Sequence, residues 1–217
     1  MLGQCTQLLQ RELPALVDDA LQRVDDALYE FADKAESDHG YASYFEAQRH
    51  LRHQRGNLKR RFLRNLTDTV VLFQDASHHL SMVAERSFDS EELQILGEKD
   101  LEESLVLANM ISKAETRYLR PLRDLTRHFA QLLRRPELRQ RDIPVSPTAI
   151  ANAFAAALRS VDELDLSTVL FMHKIFDQQV MDRLDAFYAG CVDFALAQGL
   201  SPAADKHEIV KSTERGA

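Results

Sequence analysis

Apolar residues recur at every third or fourth position along most of this 217-residue chain, the spacing that gathers side chains on one face of an α-helix. Val17, Ala20, Leu21, Val24, Leu28, Phe31 and Ala35 form the first such row, with Asp18, Asp19, Asp25, Asp26, Asp33 and Glu36 opposite. Pro14 suits the first turn of this helix, where a missing N–H costs nothing, and Gly40 suits its end. Tyr44, Leu51, Leu58, Phe62, Leu66, Thr69 and Phe73 form a second row. Gly56 falls inside it, at about 1 kcal/mol relative to alanine, and marks an expected break into two helices.

Asp100 with Glu103 has capping-box spacing and opens a helix expected to run from Leu101 to about Arg134, kinked at Pro121. The stretch before it, Ser87 to Lys99, is the least regular, with Asp89 and Glu92 offering another such box. Pro136 and Pro144 mark a loop. Ser146-Pro147 then pairs an N-cap with a first-turn proline ahead of a helix from Thr148 to Ser160. A last helix is expected from Asp165–Ser167 to Gly199. Val169, Met172, Phe176, Val180, Phe187, Cys191 and Phe194 line its main side, and Phe171, Ile175, Tyr188 and Val192 lie elsewhere around it. A helix apolar over most of its circumference belongs in the middle of a bundle. Only 7 Gly and 6 Pro punctuate the chain, too few for the turns of a sandwich or barrel. The prediction is an all-α bundle of about five to seven helices around a central C-terminal helix. It forms one domain over residues 1–200, with a flexible polar tail or linker at 201–217.

Signals for catalysis or cofactors are absent from the sequence: no glycine-rich phosphate loop, no G-x-S-x-G elbow, no C-x-x-C pair. Neither a metal nor another cofactor is expected. Glu36-x-x-His39 and Asp75-x-x-His78 have the spacing of a bundle metal site, yet neither sits in a strong apolar face. His173 lies at the edge of the last helix's main face and reads as a core histidine satisfied by a neighbouring carboxylate or carbonyl. No apolar run approaches the ~18 residues of a membrane span. Met1 to Asp18 has no signal-peptide block, and Cys5 and Cys191 lack redox or metal spacing, so a cytoplasmic location is expected.

Charge is the most informative feature. Residues 47–66 carry Arg49, Arg52, Arg55, Lys59, Arg60, Arg61 and Arg64 with no acid, whereas residues 12–38 carry nine acids against two bases. Residues 113–141 are a second basic stretch and residues 85–103 a second acidic one. Either acidic and basic helices pair internally, or a basic surface binds an anion. In a continuous helix Arg49, His53, Arg60 and Arg64 fall in one stripe opposite the apolar face, while Arg55 lands on that face and needs a carboxylate. On the second reading Arg49, Arg52, Lys59, Arg60 and Arg64 would hold a nucleotide or other phosphorylated small molecule. Nucleic acid is disfavoured, because the chain is acidic overall and lacks aromatics interleaved with the basic residues.

The segment Asp26-Ala-Leu-Tyr-Glu-Phe-Ala-Asp-Lys-Ala-Glu-Ser37, with Tyr44-Phe-Glu-Ala-Gln after it, resembles a proteobacterial family known as domain of unknown function 1631. Two later blocks match in order: Asp100-Leu-Glu-Glu-Ser104 through Glu115, and Leu164-Asp-Leu leading into His173-Lys-Ile-Phe-Asp177. The resemblance spans about residues 15–200 and implies the N-terminal helical part of longer cytoplasmic proteins. It brings no catalytic residues with it, and Pro121 departs from the pattern. Together these features favour a non-enzymatic regulatory or scaffolding module that binds a protein partner, or a second copy of itself, through helix surfaces.

Overall fold

The structure, a computed structural model, describes residues 2–34, 38–79, 98–161 and 164–199. Seven α-helices, with no strand, account for nearly all of them: α1 (Leu2–Asp33), α2 (Asp38–His79), α3 (Glu98–Arg117), α4 (Leu119–Leu132), α5 (Pro147–Leu158), α6 (Leu166–Gln179) and α7 (Asp185–Ala197). Single turns of 3-10 helix, Gln140–Asp142 and Met181–Arg183, precede α5 and α7. The all-α expectation therefore holds, and so does the number of helices. The expected tail and the Asp89/Glu92 box lie outside the described residues.

α1 and α2 form a long antiparallel hairpin. Leu51, Leu58, Phe62, Leu66 and Val70 are buried from α2, against Leu13, Val17, Ala20, Leu21, Val24 and Leu28 of α1 in the same core. The second apolar row is thus correct in its middle, while Tyr44 at its start is exposed. Three helix boundaries differ from expectation, the first because Gly40 lies inside α2 rather than at the end of α1. Pro14 lies inside α1 rather than at its first turn, and α2 passes Gly56 without a break. A glycine weakens a helix by local propensity alone, and here the packing of Leu51 and Leu58 on either side overrides it.

The helix expected to kink at Pro121 is instead divided at Tyr118. Pro121 becomes the third residue of α4, where its missing N–H would have had no helical partner. α4 ends in a Schellman arrangement, with Arg135 N–H bonded to Ala130 O at 2.8 Å and Arg134 N–H to Gln131 O at 3.2 Å. Arg134 supplies the left-handed residue this requires, at φ 54°. The Ser146 cap is as expected, its hydroxyl accepting from Ala149 N–H at 3.1 Å.

The last helix is not one rod. It is divided between Val180 and Leu184 into α6 and α7, and each half leaves one side to solvent, through Lys174 and Gln178 or through Asp185, Ala189 and Asp193. The helix buried on most sides is α5, where only Asn152 and Ala156 are exposed. Its alanines admit close neighbours. Phe154 stacks on Phe176 at 3.8 Å between centroids, and Phe62 meets both rings edge-on at 6.1 and 5.6 Å. Asn65 of α2 donates to the Ala153 carbonyl at 3.1 Å, tying α2 to α5.

Candidate functional site

The acidic face of α1 and the basic face of α2 meet. Arg52 clasps Asp25 through two hydrogen bonds of 2.6 and 2.8 Å, and Gln48 donates to the Asp25 carbonyl at 2.9 Å. One turn on, Arg55 donates to Gln22 Oε1 at 2.9 Å and to the Asp18 carbonyl at 3.0 Å. Lys59 pairs with the Asp18 carboxylate. Arg55 does lie toward the apolar side, half-buried, yet backbone and amide oxygens receive it where a carboxylate was expected. Burial of an arginine requires acceptors, and neutral ones suffice when the guanidinium edge still reaches water. The hydrogen bond and charge of Asp25 hold the Arg52 guanidinium above its ordinary range.

Of the residues expected to bind an anion, Arg52 and Lys59 are therefore engaged within the fold. Arg64 lies 3.8 Å from Asp68 on its own helix. Arg49 and Arg60 are exposed and have no partner among the described residues. The hollow that Arg49 lines with Glu46, His50, Arg52 and His53 does not include Arg60, and eleven residues of continuous helix set the two about 16 Å apart along the axis.

The second basic stretch divides in the same way. Lys113 of α3 bonds Asp177 at 2.9 Å and Asp182 at 2.7 Å, and Arg117 lies 3.7 Å from Asp182 and 3.4 Å from Asp185. These acids flank the break between α6 and α7, which α3 thereby clamps. Arg139 pairs with Asp142 at 2.9 Å. Arg123, Arg127 and Arg134 instead line a cleft beside α4.

His173 is fully buried, its Nε2 3.2 Å from Glu103 Oε1. Arg159 reaches the same carboxylate oxygen at 3.5 Å, and Phe154 packs edge-on against the imidazole at 5.7 Å. Burial pushes the imidazole below its usual range, against the opposing pull of Glu103. Because a carboxylate only accepts, Nε2 is the donor of this pair, and Nδ1 has no hydrogen-bond partner among the described residues. The expectation of a core histidine satisfied by a carboxylate is met. By its spacing Glu103 belongs to a capping box with Asp100, whereas in the structure its carboxylate meets His173. Among the described residues no three His, Cys, Asp or Glu side chains gather as metal ligands would. The side chains of Glu36, His39, Asp75 and His78 lie outside that description. Cys5 and Cys191, unrelated by spacing, meet across α1 and α7, both buried. A hydrogen bond with Cys5, reinforced by burial, pushes the Cys191 thiol well up.

One surface departs from the pattern of paired charges. Phe31, expected on the core face of α1, is 41% exposed and contacts Tyr44 of α2 at 5.7 Å and Phe171 of α6 at 5.3 Å. Tyr41 and Phe45, about half exposed, stack at 6.0 Å beside Tyr44 on the same helix. Phe171 also lines a groove of about 450 Å³ between α3 and α6, with Val106, Met110, Leu170 and Lys174. No helix among the described residues is long and apolar enough to cross a membrane.

The family model described as "Protein of unknown function (DUF1631) N-terminal domain" matches residues 1–199. No curated protein and no solved structure matches the chain.

Proposed function

The chain belongs to the DUF1631 N-terminal domain family, and on that footing we propose that it is a non-enzymatic protein-interaction module. It acts by docking a partner protein on its helix surfaces. The observation that carries this reading is the exposed aromatic run of Tyr44, Phe31 and Phe171, which continues into the α3–α6 groove. Aromatic side chains are enriched where proteins meet, because each buries a large apolar area at small entropic cost. The partner this surface fits is an amphipathic helix, its apolar side in the groove and an acidic flank toward exposed Lys174. A phosphate sensor built on Arg49, Arg52, Lys59, Arg60 and Arg64 is the weaker reading, since α1 already occupies two of those cations.

A photoreactive phenylalanine analogue in place of Phe45, in the full chain and in cells, tests the proposal. The control places it at Leu132, an equally exposed position on α4. The expected result is one dominant adduct from position 45, lost when Phe31→Ser and Tyr44→Ser are combined in a protein of unchanged helicity. Mass spectrometry of the adduct distinguishes a second copy from another protein. Adducts no more abundant from position 45 than from position 132 would overturn the reading.

A further inference from the structure

The cleft beside α4 is built from two stretches of chain. Arg123, Arg127 and Gln131 lie at successive i, i+4 positions of α4, and Arg134, Pro136 and Leu138 come from the segment that turns back under it. The cleft holds about 600 Å³, within the range of small-molecule sites. None of its described lining residues is acidic. The side chains of Arg123 and Arg134 are exposed and have no ion pair or hydrogen bond among the described residues, whereas Arg127 has a partner of its own.

Two features of this cleft run against stability. Arginines four apart on one helix repel each other. Arg134 also occupies a left-handed backbone position at the end of α4, where glycine is the residue ordinarily found. A side chain there is costly to the backbone, and the one that Arg134 carries lines the cleft. Such an outlier is a pointer to a site when the geometry around it offers a ligand something to bind. Here it does. Two guanidinium groups can each grip phosphate oxygens in pairs, and Ala130, Pro136 and Leu138 form an apolar wall beside them.

From this geometry we infer that the α4 cleft binds a polyphosphorylated small molecule with a flat apolar body, of the nucleotide class, its phosphates divided between Arg123 and Arg134, which line the same cleft. The site shares no residue with the aromatic face and does not depend on it. It also differs from the α2 surface, whose cations are partly consumed by α1.

Isothermal titration of the full chain at low salt with ATP, pyrophosphate and adenosine tests the inference. ATP and pyrophosphate are expected to bind, ATP more tightly, and adenosine to give no saturable heat. Loss of one charge-assisted pair corresponds to about tenfold or more in affinity, so Arg123→Gln and Arg134→Gly should each weaken ATP by at least that factor. Arg134→Gly is expected to melt no lower than the parent, which separates lost binding from lost fold. Arg60→Gln should leave affinity unchanged. The inference is overturned if neither ATP nor pyrophosphate gives saturable heat, if both cleft variants bind as the parent does, if adenosine binds equally, or if Arg60→Gln loses as much.

Discussion

The hydroxyl of Tyr118 accepts a 3.0 Å hydrogen bond from the backbone N–H of Leu184. Tyr118 is the residue at which α3 gives way to α4, and Leu184 is the one at which α7 begins. One helix break thus supplies the acceptor that the other lacks, in a place closed to water. Tyr188, packed 4.9 Å from the Tyr118 ring, similarly donates to the Val145 carbonyl at 2.9 Å. Tyr118→Phe keeps the ring and leaves the Leu184 N–H buried without a partner. It is expected to cost about 1–3 kcal/mol in urea unfolding, against almost nothing for Tyr29→Phe on the surface.

Phe62 is fully buried and touches both members of the Phe154–Phe176 stack. Three helices, α2, α5 and α6, meet at these rings. Phe62→Ala should lower stability by about 3–5 kcal/mol through lost burial and the cavity left behind. Phe62→Leu should cost clearly less. Denaturant midpoints of the two variants check the ordering.

Acidification should act through His173. Its folded pKa lies below the usual value of 6.5, chiefly through burial, so the unfolded chain binds the proton more readily. Stability is then full above about pH 6.5 and falls as pH drops below it. His128, lowered by burial as well, acts in the same direction. Replacing the imidazole by His173→Gln, which still donates to Glu103, should flatten part of the loss between neutral and mildly acidic pH. Unfolding curves at a series of pH values measure the slope, and an unchanged slope would contradict the assignment.

Arg134 gives a prediction of opposite sign to most substitutions. A left-handed residue with a side chain costs roughly 1–2 kcal/mol, and glycine returns part of this through the greater freedom of its unfolded chain. Arg134→Gly should therefore stabilise the protein by about 0.5–1 kcal/mol. Chemical denaturation of the two proteins side by side is the check.

Helix type and number were legible because the three-to-four spacing of apolar residues is a direct image of the helical face. Ser146-Pro147 was legible because both residues act locally. The break at Val180–Leu184 was not, since Phe176, Val180 and Phe187 keep helical phase across it, and the residues that meet it, Lys113, Tyr118 and Asp19, are distant in sequence. Gly56 misled because propensity is weak beside tertiary packing, and Pro121 because a proline fits a first turn as well as a kink. Charge arithmetic found the basic stretches but not their fates. Which of Arg52, Lys59, Lys113 and Arg117 would be neutralised depends on partners distant in sequence, such as Asp177, Asp182 and Asp185 for the two cations of α3. The exposed aromatic run was hidden for a related reason: Phe31 and Tyr44 share phase with core residues, and their exposure follows from where the neighbouring helices stop.

The meeting of Cys5 with Cys191, and of Leu8 with Gly190, where an added Cβ would come within 3.2 Å of the leucine, has a temporal consequence. These contacts join positions separated by almost the entire chain, the most expensive kind to form early. As the polypeptide leaves the ribosome, the early turns of α1 emerge well before α7 and stay uncovered until it arrives. The α1–α2 hairpin can assemble from neighbouring segments, whereas closure of α7 over the start of α1 must await every helix between them.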